Sequence, residues 1–480
     1  MGTITQKLYI NGRWDSKFGQ QLSESMNPAN KEVVGYYSVA DEEQINQAVE
    51  SAHAAYSEWK RTPAPVRASY LYKAAEICAG RKEELAMIMT KEMGKVLAET
   101  LGEVNVVIET CKYMAAEGRR MFGETVPSAM PNCDITMVRE PLGVIACITP
   151  WNFPVALASY KICAAVISGN AVVWKPASET ALSAGILTEI FQQAGFPDGV
   201  INLITGSGSK VGKQLASHPQ VAAISFTGST EVGKDLSIEA ARQMKKISME
   251  LGGKNAAIVL QDADLTKAAD CIVRAAFSTT GQKCTATSRV IVEREVKQDL
   301  LDLIVQKTKS LKIGNGMKSG IEVGPLVNEQ QLQIVQSYVE AALTEGAKLE
   351  CGGKTIEDQG GYFYEPTILS NVKPEHRVAN EEIFGPVLVF IEAEDYEEAI
   401  KINNQTVYGL STSLFTKSLH YAKRGAREIE SGLVYVNNGT ANAEIGVAFG
   451  GWKQSGNGAR EVSHHAFDSM TEWKSIYVTY

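Results

Sequence analysis

What this 480-residue chain lacks narrows its function before any motif is read. No apolar run approaches the ~18 residues of a membrane-crossing helix, so neither a membrane span nor a membrane partner is expected. The opening MGTITQKLYINGRW has no apolar segment of the secretory kind, and no signal peptide is expected. None of the eight cysteines forms a C-x-x-C pair or a Cys/His cluster at metal spacing, which argues against a metal site. The net charge is −8, which argues against a nucleic-acid partner. Repeats and low-complexity linkers are missing too. Most cysteines lie inside apolar helix or strand patterns, as reduced thiols do. The expectation is a cytoplasmic protein of two or three domains.

What is present is an alternation of helices and short buried strands. Tyr9-Ile10-Asn11-Gly12-Arg13-Trp14 reads as a hairpin turning at Asn-Gly. Asp41 caps a helix with Ile45, Ala48, Val49, Ala52, Ala55 and Trp59 on its apolar face. Helical periodicity continues, with breaks, to about Met121. Between two of these helices, Lys91-Glu92-Met93-Gly94-Lys95 reads as a solvated helix end. From Leu142 onward short apolar runs appear at Gly143–Thr149, Ala171–Trp174, Val200–Ile204, Ala222–Phe226 and Lys246–Met249, each followed by a helix or a turn. Strands alternating with helices imply a parallel α/β sheet. After Gly252-Gly253 a second α/β series begins, with strands at Ala256–Leu260, Arg289–Val292 and Gly432–Asn437. The final Trp473–Tyr480 alternates β-branched and aromatic residues; such a strand needs an edge to pair with, which a partner subunit could supply.

Six stretches carry chemistry. Cys284 lies between a helix and a strand, among Gly281 and small hydroxyl residues, where a substrate can reach a thiol. Lys283 places a cation beside it, which favours thiolate. Asn152, in Trp151-Asn152-Phe153-Pro154 at the carboxyl end of a strand, can donate to an oxyanion. Glu250 ends an apolar strand, where desolvation raises a carboxyl pKa and suits it to act as a general base. Two glycine stretches could hold a dinucleotide. Gly206–Gly212 is a weak match, with its third glycine one residue late. Phe226–Gly233 is better placed, leaving a strand and opening a helix whose free N–H groups suit a pyrophosphate, although Glu231 there is awkward for a phosphate. Lys175 and Ser178 stand where a ribose 2′ position is read. A cation and a hydroxyl there admit NADP and mildly favour it over NAD.

Taken in order, Pro150–Pro154, Lys175–Ser178, Phe226–Thr230, Glu250–Gly253, Gly281–Cys284, Glu381–Pro386 and Phe449–Gly451 resemble the aldehyde dehydrogenase superfamily over nearly the whole chain. The resemblance implies two Rossmann-like parallel-sheet domains plus a small β oligomerisation element. It divides the chain into a cofactor-binding domain over 1–121 and 141–252, a catalytic domain over 253–452, and an oligomerisation element over 122–140 and 467–480. It makes Cys284 the nucleophile, Glu250 the general base, and Asn152 with the Cys284 N–H the oxyanion hole. Trp151, Lys175, Ser178, Gly228, Ser229 and Leu251 would line the cofactor site, Glu382 would hold the nicotinamide ribose and Phe384 would stand against the ring. The implied reaction is NAD(P)-dependent oxidation of a small-molecule aldehyde through a thiohemiacetal and a thioester, in a homodimer or homotetramer. Departures are Ala448 where many relatives have Pro, and one extra residue in Gly456-Asn457-Gly458-Ala459-Arg460-Glu461. Relatives specific for succinate semialdehyde tend to have Arg where Tyr160 stands, while Lys283 resembles relatives acting on acidic aldehydes, including 2-oxoglutarate semialdehyde. Whether Lys283 pairs with a substrate carboxylate or only tunes the thiol stays open at this level. The retained Glu250 argues against a coenzyme A-acylating relative, and the joint presence of Cys284, Glu250 and Asn152 against a non-catalytic scaffold.

Overall fold

In the computed structural model, which describes residues 4–15 and 20–480, the short apolar runs assemble into two seven-stranded sheets. Across the first run Lys246–Glu250, Val221–Thr227, Val144–Ile148, Ala171–Lys175 and Ile201–Leu203, all parallel. Val144–Ile148 and Ala171–Lys175 are buried at every position, which is why they read as continuous apolar runs rather than alternating ones. The hairpin Leu8–Ile10 and Arg13–Asp15 adds two antiparallel strands at the far edge. Asn11 and Gly12 at its turn have φ of 50° and 76°, the left-handed pair that matches a two-residue turn to the strand twist. Chain order reverses between Val144–Ile148 and Val221–Thr227. The crevice beyond their carboxyl ends is therefore the switch point at which open α/β sheets bind ligands.

The chain passes to the second sheet between Glu250 and Asn255, across Gly252-Gly253. That sheet has six parallel strands, ordered Thr367–Ser370, Val387–Ala393, Thr287–Glu293, Asn255–Val259, Ser411–Phe415 and Leu433–Val436, with Lys348–Cys351 antiparallel at one edge. The Asp41 cap is present as a reciprocal box with Gln44, and the helix Glu42–Trp59 buries Ile45, Ala48, Val49, Ala52 and Trp59 as its periodicity requires.

The last strand, Thr471–Thr479, pairs antiparallel along Cys133–Pro141, with Glu124–Val126 beyond. Its outer side remains an edge of that sheet, with Trp473, Tyr477 and Val478 exposed. The Lys91–Lys95 junction is not a solvated helix end, because Glu92 and Lys95 are both buried. The Glu92 carboxylate accepts from Leu182 N at 3.0 Å and Ser183 N at 2.8 Å, supplying acceptors to the unpaired amides of the helix Ala181–Gln193. Lys95 pairs with Glu103 over the Phe153 ring. Glu103 in turn accepts from Val155 N and Ala156 N at 3.0 Å each, which fixes the chain just after Trp151-Asn152. Charge in a sequence reads as solvated until something shows where its partners are.

Candidate active site

A cleft of about 510 Å³ opens where the carboxyl ends of the first sheet meet the amino ends of the second. Trp151, Asn152, Gly228, Ser229, Leu251, Cys284, Glu382 and Phe384 all line it. The first five come from turns that follow strands; Cys284 comes from the turn between the helix Leu265–Phe277 and the strand Thr287–Glu293. Gly228 and Ser229 lead into the helix Thr230–Arg242, whose first-turn N–H groups open toward the cleft, with Ser229 Oγ capping Val232 N at 3.4 Å. On the facing wall, Gln331 Nε2 donates to the carbonyls of Ile383 and Phe384 at 2.9 and 3.1 Å and holds the Glu382–Phe384 loop. The Trp151 and Phe384 rings meet edge to face at 5.3 Å. Glu382 Oε1 accepts from Gly253 N at 2.9 Å, and a Cβ on Gly252 would stand 2.4 Å from Glu382 Oε2, so this carboxylate requires glycine opposite it. Burial pushes Glu382 up to about 7, with Gly253 N–H and Lys254 pulling the other way.

Cys284 is half-buried at the wall of the cleft. Burial, then Glu382, then Glu250 push Cys284 up to about 12. Lys283 is turned away: its Nζ donates to Ser278 Oγ at 2.5 Å, in the field of Glu99. Asn152 Nδ2 donates to the Gln282 carbonyl at 3.0 Å. An amide nitrogen carries two hydrogens, so one remains for an oxyanion at the thiol. On its other side Cys284 packs with Tyr160, Tyr435 and Ile445 against Leu410, Leu433, Phe449 and Val462. Ile445 also borders a surface hollow of about 640 Å³ shared with Asn105, Tyr113 and Glu444. The segment 438–447, patternless in sequence, is tied to the thiol turn by Thr440 Oγ1, which donates to the Thr285 carbonyl at 2.7 Å.

Glu250 does not line the cleft directly. It is buried, and burial, then Glu461, raise its pKa well above the carboxylate range, against a pull from the Gly451 N–H. Beside it Lys161 and Glu461 form a buried ion pair. Lys161 and Arg460 both oppose the rise at Glu250. Sequence reasoning passed over Lys161, yet its signal is plain: one cation in the otherwise apolar helix Ala156–Ser168. Gln331 and Tyr338 were missed for a better reason, since a polar residue on a half-exposed helix has nothing local to mark it.

Lys175 and Ser178 stand beside the cleft rather than in its lining. Lys175 is buried, and desolvation lowers it to about 8 against the pull of Glu179. Its Nζ is 3.9 Å from where a Cβ on Gly208 would lie, and Ser178 Oγ donates to the Gly206 carbonyl at 3.2 Å. The weaker glycine stretch is thus the one that adjoins Lys175 and Ser178.

The model of the Aldehyde dehydrogenase family matches residues 14–476. Alpha-ketoglutaric semialdehyde dehydrogenase of Bacillus subtilis is 41% identical over 98% of this chain and 97% of its own. Alpha-ketoglutarate semialdehyde dehydrogenase of Haloferax volcanii is 39% identical over 100% of both. Among solved structures, betaine aldehyde dehydrogenase from Staphylococcus aureus in complex with NAD+ superposes with a TM-score of 0.96 at 33% identity, over 99% of this chain and 95% of that one. A 3,6-anhydro-L-galactose dehydrogenase in complex with NAP gives 0.96 at 35% identity, over 99% and 100%.

Proposed function

The chain belongs to the aldehyde dehydrogenase family, a family of NAD(P)-dependent oxidoreductases, and on that premise we propose that it oxidises an acidic semialdehyde, 2-oxoglutarate semialdehyde first, to the acid. The observation that carries the substrate is the full-length likeness to two relatives named for that aldehyde, at 41% and 39% identity. Lys283 no longer supports it, because Ser278 holds that ammonium.

The cleft fits a nicotinamide dinucleotide. The helix N-terminus after Gly228-Ser229 suits a pyrophosphate, Glu382 a ribose, and the Trp151–Phe384 corner a flat ring. When bound, the dinucleotide would accept hydride from the aldehyde carbon. Cys284 loses its S–H proton to water, its sulfur adds to the carbonyl carbon, and the C=O electron pair becomes an oxyanion that takes the free Asn152 N–H and the Cys284 backbone N–H. After hydride loss a thioester remains on Cys284. Glu250 then takes a proton from water, the water oxygen attacks the thioester carbon and the thiolate leaves. Burial raises the Glu250 pKa well above the ordinary carboxylate range, so its basic form grows as pH rises.

For the cofactor the reading is NADP at least as well as NAD. Lys175 is a buried cation without a carboxylate at 178 to repel a 2′-phosphate, and structural neighbours were solved with NAD+ and with NAP, its 2′-phosphorylated form. In this reading residues 1–121 and 141–252 bind the cofactor, 253–452 carry the thiol, and the three-stranded sheet with its open Thr471–Thr479 edge joins subunits of a cytoplasmic homodimer or homotetramer. A panel of acidic and neutral aldehydes, each with NADP and NAD, tests the proposal. A neutral aldehyde preferred over every acidic semialdehyde defeats the substrate, and activity only with coenzyme A defeats the hydrolytic step.

A further inference from the structure

Immediately before the thiol, Thr279, Thr280 and Gly281 hold φ of 54°, 58° and 69°. Glycine enters that left-handed region freely; β-branched threonines do not. Gly281 is bound to be glycine for a second reason, since a Cβ there would stand 2.2 Å from the Gly385 carbonyl oxygen. The two threonines have no such freedom, and a conformation of this kind persists only where surrounding contacts over-determine it. Downstream, Thr280 Oγ1 donates to Gly324 O at 3.0 Å, and Gln282 Oε1 accepts from Val327 N at 2.9 Å. At the start of the turn, Thr279 N–H donates to Glu99 Oε1 at 2.8 Å, reaching a helix 180 residues earlier in the chain.

Glu99 is an unusual partner. Its second oxygen, Oε2, is buried and has no hydrogen-bond partner among the described residues. A half-satisfied buried carboxylate is costly to keep without a second role. Lys283, held at Ser278 Oγ, supplies the nearby positive charge. The turn itself carries two parts of the site. Cys284 follows it directly, and the Gln282 carbonyl accepts the Asn152 amide at 3.0 Å. A shift of this turn moves the nucleophile and the oxyanion donor together.

We propose that Glu99 is a positioning residue for the reaction at Cys284: its carboxylate locks the left-handed Thr279–Gly281 turn and thereby sets both the thiol and the Asn152 amide. The inference rests on Cys284 being the nucleophile. It differs from a general structural role in one respect. If Glu99 serves to hold threonine in a left-handed backbone, then glycine at 279, which needs no holding, makes Glu99 dispensable.

The test is a double-mutant cycle read in kcat and in KM for NADP. Glu99→Ala is expected to lower kcat roughly thirtyfold, as small displacements of reacting groups do, while KM for NADP stays within about twofold. Glu99→Gln, which keeps an acceptor for Thr279 N–H, is expected to retain at least about a third of the wild-type kcat. Thr279→Gly alone should stay within about threefold of wild type, and Glu99→Ala in the Thr279→Gly background should return to within about fivefold. A Glu99→Ala enzyme within about twofold of wild type, or a double variant as slow as Glu99→Ala alone, overturns the inference. Should Glu99→Ala not fold, the double variant decides: active, it supports the inference; insoluble or inactive, it overturns it. Failure of the nucleophile reading looks different, since Cys284→Ala would then keep its turnover whatever Glu99 does.

Discussion

The two sheets present their residues to the cleft from opposite ends. On the first, Trp151-Asn152, Gly228-Ser229 and Leu251 sit just past the carboxyl ends of parallel strands, on turns that the strands themselves aim. On the second, Cys284 lies before the amino end of Thr287–Glu293, on a left-handed turn held by Glu99, Gly324 and Val327. The first arrangement is local and regular; the second depends on contacts from distant parts of the chain. A cofactor-binding edge tolerates small shifts because many amides share the grip. A nucleophile does not, because one bond must form at one angle.

The contrast is sharpened most by Cys284→Ala, which should lower aldehyde oxidation by at least about ten-thousandfold while leaving NADP affinity nearly intact by fluorescence titration. Turnover near wild type would remove the thiol from the second-sheet side altogether. Next comes Glu250→Gln, which should slow deacylation on the order of a hundred- to a thousandfold and expose a pre-steady-state burst of reduced cofactor. The raised pKa of Glu250 gives the sign of the pH effect: the wild-type steady-state rate climbs as pH rises above the ordinary carboxylate range, and Glu250→Gln flattens that limb. A burst that vanishes while the steady state stays normal would take the water-activating role away from Glu250.

Asn152→Ala tests whether the first sheet also reaches the reacting carbon. It should reduce kcat roughly a hundredfold with little change in NADP binding. Equal loss in both would make Asn152 a packing residue of the cleft. Ser178→Glu acts on the cofactor edge alone, and should shift preference from NADP toward NAD by about ten- to a hundredfold through like-charge repulsion. Lys175 adds a pH signature. Its cation is lost as pH rises through about 8, so NADP should weaken relative to NAD across that range. A wild-type preference for NAD of about a hundredfold would contradict the reading of Lys175 and Ser178.

Lys283→Met carries the smallest expected effect, a few-fold loss of roughly equal size for acidic and neutral aldehydes, because its ammonium is tied to Ser278 Oγ at 2.5 Å. A rise in KM confined to acidic aldehydes would put Lys283 back at the substrate.

Read from the sequence alone, the strand ends were accessible because their information is local. A buried apolar run followed by a turn places Asn152, Gly228 and Glu250 at a sheet edge, whatever the rest of the chain does. The Asn11-Gly12 turn and the Asp41 cap are local in the same sense. Tertiary structure alone decided where charge goes. Glu92, Lys95, Glu103 and Glu461 look like surface residues and are buried in pairs and caps. Lys283 is one residue from the thiol, yet its ammonium is held at Ser278 Oγ, where Glu99 acts on it more strongly than Cys284 does. The physical reason is common to all of these. Period and turn chemistry act over a few residues and are written in order, whereas desolvation and ion pairing depend on which distant groups arrive at the same place.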